Sequence, residues 1–259
     1  SIMTSINHKD LALAVKAVRA AQAKLALYGS HGRSVETIVG REWKIHADAE
    51  LEKVILQVLH QETNYPILSE ESGLLPGIGK RQWIVDPLDG SANYSRELPF
   101  CGISVGLWES NRPLLGVVLE IAGNRLYSGI VGVGAWCDEI PIELSRAACP
   151  APVQSILCTG LPAELDHSPE KIGALIDAFR SFGKTRMLGS AALMLCYVAS
   201  GKCDSYWECQ IALWDVAAAL AIVQSAGGEI RIGSISDRCR LDVEAASSKN
   251  LLVSELNGR

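Results

Sequence analysis

The stretch with the densest chemistry is Trp83-Ile84-Val85-Asp86-Pro87-Leu88-Asp89-Gly90-Ser91-Ala92-Asn93-Tyr94. Its apolar start, Trp83 to Val85, predicts a short buried strand ending on Asp86. Pro87 has no N–H to add to a ladder, so the strand is expected to stop there. Asp89-Gly90 bends the chain, and Ser91 is a natural N-cap for a helical turn. Two carboxylates then share a rigid turn just past a strand end, with the N–H groups of Gly90, Ser91 and Ala92 able to face the same space. Mg²⁺ takes oxygen ligands, few of them from protein, and leaves its other positions to water and phosphate. Asp86, Asp89 and the Leu88 carbonyl would supply such ligands, and free N–H groups at a helix start attract a phosphate. Taken alone, Asp-Pro-x-Asp-Gly is also an ordinary turn. The rest of the chain decides between the two.

Other acids stand at element ends. Asp48 opens a helix expected to about His60, with Leu51, Val54, Ile55 and Val58 inward. Helix capping would also explain an acid there. A strand over Pro66–Ser69 ends on Glu70-Glu71. Adjacent acids are usually solvated, but these follow a buried strand and precede Ser72-Gly73, so one could point inward. Asp215 lies in the first turn of a helix expected over 213–226 and closed by Gly227-Gly228. The string Trp-Asp-Val-Ala-Ala-Ala-Leu-Ala-Ile-Val-Gln-Ser-Ala-Gly-Gly, residues 214–228, is more specific than capping requires.

The elements that must position these acids follow from periodicity. A helical stripe covers 8–27, with Asn7 as its N-cap. Residues 29–41 carry three glycines and read as a mobile loop or weak hairpin, able to act as a lid. Residues 74–82 read as a surface loop. Strands over 100–108, 113–121, 125–131 and 134–137 predict an antiparallel meander, with the N-terminal helices packed on it. Residues 147–153 look like a connection. Beyond it strands at 154–158, 184–188, 203–207, 229–232 and 251–253 alternate with helices at 169–182, 189–199 and 213–226, as in an α/β layer.

Composition sets outer limits. The chain has 259 residues, 48% hydrophobic and 20% charged, long enough for a sizeable core and too apolar for disorder. Its net charge of −5 gives no basic field, which argues against a nucleic-acid partner. The longest apolar stretch near the N-terminus, Leu11 to Tyr28, is broken by Lys16, Arg19 and Lys24, so no membrane span and no secretory signal are expected. Ser1-Ile2, ahead of Met3, read as an addition foreign to the fold. Eight cysteines without C-x-x-C or zinc spacing read as free thiols, and a cytoplasmic location is expected.

With both strings and Glu70-Glu71 in place, the chain resembles the inositol monophosphatase family of Mg²⁺-dependent, lithium-sensitive phosphatases over nearly its whole length. The resemblance implies an α/β (α+β) fold, a layered α-β-α-β-α sandwich of the inositol monophosphatase and fructose-1,6-bisphosphatase type. It implies one phosphatase domain over 1–259, with halves at about 4–146 and 154–259. It implies two or three Mg²⁺ ions per site. Glu70, Asp86 and the Leu88 carbonyl would hold the first, and Asp86, Asp89 and Asp215 the second. A third, weaker ion would share Glu70 with water. Asp48 and Ser91, where most relatives have Thr, would orient the attacking water together with Glu70, and Gly90 and Ser91 would donate to the phosphate. Glu208, with Asp89 and the strip Gly189, Ser190 and Ala191, would meet the substrate. A small phosphorylated substrate and a homodimer are implied, with no nucleic acid and no membrane.

The best substrate on this resemblance is an inositol monophosphate or a related small polyol phosphate, because the Glu208 carboxylate accepts hydrogen bonds from vicinal hydroxyls. Histidinol phosphate and 3′-phosphoadenosine 5′-phosphate are alternatives on the same scaffold. A bisphosphate would ask for a basic patch, for which Lys184 and Arg186 are candidates. One departure stands out. Relatives read Val-Thr-x-x-Asp where this chain reads Lys44-Ile45-His46-Ala47-Asp48. The missing Thr hydroxyl leaves open how Asp48 is held, and a regulatory or partner-binding role is the alternative of another class.

Overall fold

The computed structural model describes residues 1–144, 149–164 and 166–256. Helix α1 (Ile2–Tyr28) is longer than its stripe predicts, because the Ser1 hydroxyl caps it by accepting from Thr4 N. Ile2 is therefore the first helical residue, and Ser1 rather than Asn7 caps the helix. A hairpin follows, β1 (Val35–Val39) and β2 (Glu42–Ile45), then α2 (His46–Glu62), β3 (Ile67–Ser69) and β4 (Gly73–Leu75). Next come β5 (Arg81–Asp89), the short α3 (Ser91–Ser95), and the meander β6 (Gly102–Glu109), β7 (Arg112–Glu120), β8 (Arg125–Ile130), β9 (Gly134–Cys137) and β10 (Ile140–Ile142). These strands form an eight-stranded sheet in the order β10-β9-β8-β7-β6-β5-β3-β4, antiparallel except where β3 lies parallel to β5.

The second half carries β11 (Ile156–Thr159), α4 (Pro169–Ser181), β12 (Lys184–Arg186), α5 (Ala191–Ala199), β13 (Ser205–Ala212), α6 (Leu213–Ser225), β14 (Glu229–Ile232), β15 (Arg240–Ala246) and α7 (Val253–Leu256). Its five-stranded sheet runs β12-β11-β13-β15-β14.

The central strands of the first sheet are buried on both faces, which explains their unbroken apolar runs. On β5, Trp83 and Val85 face the core made with α1 and α2, while Ile84 faces the core shared with α5 and α6. On β7, Val117 and Leu119 divide from Val118 in the same way. Leu157, Ala178, Phe182 and Val253 seal the outer face of the second sheet beneath α4 and α7. The layers are thus helix, sheet, helix, sheet, helix, as the α-β-α-β-α expectation requires. Helix α6 presses against the first sheet at two glycines. A Cβ on Gly106 would lie 2.9 Å from Ala218 N, and one on Gly116 2.1 Å from Ala218 O.

Several boundaries differ from expectation. Strand β5 does not end at Pro87. Asp86 pairs with Ser104 and Asp89 with Gly102, so the proline sits in a bulge, where it owes the ladder no hydrogen bond. Residues 73–75 form β4 rather than loop. Residues 251–253 are no strand: Lys249–Leu251 is a 3-10 turn leading into α7. The missed strands are β10 and β15; the buried Leu241, Val243 and Ala245 of β15 alternate with more exposed residues. Helix α5 begins at Ala191, after the Ser190 cap, rather than at Gly189. Of the expected connection over 147–153, residues 147 and 148 lie outside the described residues. All eight cysteines are free. No described helix is long and apolar enough to cross a membrane.

Candidate metal centre

Residues three apart on a regular strand point to opposite faces. The bulge in β5 inserts one extra residue between Asp86 and Asp89, and both carboxylates reach one cavity. Asp215 joins them from the first turn of α6, held there by the close seat of that helix on Gly106 and Gly116. One oxygen from each of Asp86, Asp89 and Asp215 lies within 4.8 Å of the others. Asp86 is completely buried; its Oδ1 accepts from Leu88 N at 3.1 Å. Its Oδ2 has no partner among the described residues. Asp89 Oδ2 accepts from Ser190 Oγ at 2.7 Å and Ala192 N at 2.9 Å, so the start of α5 fixes its orientation.

Burial, then mutual repulsion, pushes the carboxyls of Asp86 and Asp215 well up. Burial also raises Asp89, to about 6, against the hydrogen bonds from Ala192 and Ser190. Three crowded acids and an unpaired buried oxygen suit a hard cation, which takes carboxylate ligands and removes the repulsion. The Asp86, Asp89 and Asp215 cluster could therefore bind a divalent metal.

Asp48 stands behind this group on α2 and is buried. Its Oδ2 accepts from the backbone N–H of Ile45 at 2.9 Å and its Oδ1 from Ser91 Oγ at 3.1 Å. Asp48 is thus anchored by the Ile45 backbone and the Ser91 hydroxyl, with no hydroxyl required at position 45. The Ile45 side chain is itself in the core. Burial raises the Asp48 carboxyl to about 7. Ser91 Oγ also lies 3.1 Å from the Leu88 carbonyl.

Glu70 borders the same cavity but is bound to Lys44, whose Nζ lies 2.8 Å from Glu70 Oε1 and 2.6 Å from Glu71 Oε1. Burial of the Lys44 ammonium acts to lower its pKa, but the two glutamates outweigh it and hold it above its ordinary value. The cavity, of about 410 Å³, is also lined by Leu88, Gly90, Ser91, Gly189, Trp214 and Arg41. Ser190 and Ala191 are buried at the start of α5, Ser190 turned to Asp89.

Glu208 lines an adjoining cavity of about 480 Å³, which shares Arg41 and Glu42 with the first. Burial raises its carboxyl to about 7. A Cβ on Gly160 would come 2.8 Å from the Glu208 carboxyl carbon, so only glycine leaves this acid its place. Lys184 and Arg186 line neither cavity; the arginines beside Glu208 are Arg41, Arg238 and Arg240. His46 stands apart, bonded through Nδ1 to Glu36 at 3.0 Å. The segment 29–41 forms a 3-10 turn over 29–33 and then β1, and the β1–β2 turn brings Arg41 to the cavity. Sequence reasoning missed Arg41, Lys44 and Gly160. The readable signal for Lys44 is its place four residues before Asp48, on the strand that leads into α2.

The model of the inositol monophosphatase family matches residues 7–249. An inositol-1-monophosphatase of Synechocystis sp. is 33% identical over 225 residues, which cover 84% of this chain and 77% of that protein. The Nus factor SuhB of Haemophilus influenzae is 33% identical over 227 residues, 84% of this chain and 83% of that one. The solved inositol monophosphatase of Anabaena (Nostoc) sp. superposes with a TM-score of 0.81 at 29% identity, covering 97% of this chain and 96% of that one. Fold, acidic cluster and sequence agree, and the chain belongs to the inositol monophosphatase family.

Proposed function

We propose that the protein is a Mg²⁺-dependent phosphomonoesterase acting on an inositol monophosphate or a related small polyol phosphate. The observation that carries this reading is the convergence of Asp86, Asp89 and Asp215, with the unpaired Asp86 oxygen, beside Glu70 and the start of α3. Glu70, Asp86 and the Leu88 carbonyl are assigned to one ion, and Asp86, Asp89 and Asp215 to another. Bound Mg²⁺ supplies the charge that makes water acidic and offsets the negative charge on the departing oxygen.

The chain's own groups do the rest. Ser91 and Ala92 begin α3, where N–H groups have no intrahelical partner and suit a phosphate oxygen. Ser91 Oγ orients the attacking water. As that water attacks, Ser91 takes its proton and passes its own to Asp48 Oδ1, which already accepts from the Ser91 hydroxyl at 3.1 Å. Glu208 accepts from substrate hydroxyls, with Arg41 beside it. Ser190 holds Asp89 in register, and Gly189 lines the cavity where a Cβ would come 2.8 Å from Asn93 Nδ2. A cytoplasmic setting and a homodimer belong to the same proposal.

Relatives named Nus factor SuhB support a second reading, a regulatory or partner-binding role on this scaffold. Phosphate release measured across inositol 1-phosphate, histidinol phosphate and 3′-phosphoadenosine 5′-phosphate separates the readings. The proposal expects Mg²⁺-dependent release, highest with the inositol ester, and a raised KM in Glu208→Gln. Preference for another ester would remove the substrate assignment. No release from any would leave the partner-binding role.

A further inference from the structure

Lys44 is the cation that the structure pairs with acids at the edge of the acidic cavity, which Arg41 also lines. Its ammonium bridges Glu70 and Glu71 at 2.8 and 2.6 Å. All three side chains are about a quarter exposed, so the pair is neither deep in the core nor loose on the surface. The partners are themselves braced. Glu52 on α2, almost wholly buried, accepts from Glu71 N at 3.0 Å and from the Ser72 hydroxyl. Lys44 is fixed from its own side by β2, since the next residue, Ile45, is in the core and donates its N–H to Asp48. An ammonium held by two acids on a braced turn has little freedom to leave.

Resting on the metal-site reading above, we propose that Lys44 is a resident cation of the site. It stands beside Glu70 and Glu71 where a third, weakly held divalent ion would otherwise share Glu70. Charge balance supports this. Glu70 and Glu71 already face one ammonium, so the two acids beside Lys44 carry one net negative charge rather than two. A further divalent ion on Glu70 Oε1, the oxygen that Lys44 already holds, would meet that ammonium within a few ångströms, where like charges repel. The protein then has a fixed outer cation and depends on two bound ions only. Lys44 acts through Glu70, and is a positioning residue.

The test counts ions. Wild type, Lys44→Met and Lys44→Arg are each titrated with Mn²⁺ in the presence of inorganic phosphate, and free Mn²⁺ is read by its paramagnetic resonance signal. The expected result is saturation at two ions per chain in the wild type and in Lys44→Arg. Lys44→Met, which keeps the apolar stem, is expected to take a third. Three ions in the wild type, or two in Lys44→Met, would overturn the inference. Absence of any binding in all three proteins would overturn it together with the metal-site reading, and so is distinguishable from failure of the Lys44 role alone. Thermal unfolding in chelator checks that each variant is folded.

Discussion

Asp86 is the residue under greatest constraint. It is completely buried, with one oxygen on Leu88 N and the other without a partner among the described residues. A buried carboxylate in that state is costly unless a cation meets it. Removing the charge of its neighbour should therefore act in opposite directions on binding and on the bare fold. Asp89→Asn is expected to lower Mg²⁺-dependent phosphate release by at least about a hundredfold, since a metal contributes several kcal/mol and about 1.4 kcal/mol is tenfold. The same change should raise the unfolding midpoint of the metal-free protein, read by calorimetry in chelator. A fall there would mean that Asp89 is chiefly a structural acceptor for Ser190 and Ala192. Ser91 is the second residue with a sharp expectation. Ser91→Ala removes the donor to Asp48 Oδ1 and should cost about 1 kcal/mol of stability with a large loss of rate. Ser91→Thr should keep both, in denaturant unfolding and in initial-rate assays.

At the scale of elements, Asp215 is placed by the way α6 lies on the first sheet. Gly116 and Gly106 admit the backbone of Ala217 and Ala218, and Trp108 Nε1 donates to Ala217 O at 3.0 Å. Gly116→Ala would put a methyl group 2.1 Å from Ala218 O. Overpacking of this kind costs about 1–3 kcal/mol or more. The expected outcome is a lower unfolding midpoint together with weaker Mn²⁺ affinity, because α6 carries Asp215. Unchanged affinity would mean that the acid does not depend on the helix seat. The same elements show what could be read without coordinates. Asp86 and Asp89 were legible because Asp, Pro and Gly have few reasons to crowd after a buried run. Asp215 was legible from its string. The bulge that turns Asp86 and Asp89 to one side was not, since bulges arise from cross-strand pairing that no local pattern records. Nor was the pairing of Lys44 with Glu70 and Glu71, because a lysine on a short strand ordinarily reads as solvated. Strand β15 had a readable alternation, but the more apolar Leu251-Leu252-Val253 drew the assignment to itself.

For the whole molecule, the acids make stability depend on pH and on metal together. Asp89 is raised to about 6 and Asp48 and Glu208 to about 7, with Asp86 and Asp215 pushed well up, all chiefly by burial. The folded metal-free protein then holds protons that the unfolded chain, with ordinary carboxyls near about 4, gives up. Linkage makes the contribution of these acids to stability greatest at low pH, and that contribution falls as pH rises through the raised values. In chelator the unfolding midpoint should decline from pH 5 to pH 8. Saturating Mg²⁺ should restore it at pH 8, where the acids are ionised and able to bind. A midpoint that climbs over this range without metal would show that the cluster is not strained by its own charge.

The Asp86, Asp89 and Asp215 cluster is proposed as a metal-dependent phosphatase site. Its most direct test is phosphate release from inositol 1-phosphate, with Mg²⁺ and with chelator, in the wild type and in Asp215→Asn. Release is expected only with Mg²⁺ and only from the wild type, with Asp215→Asn still folded. Equal release in chelator, or full activity in Asp215→Asn, would contradict it.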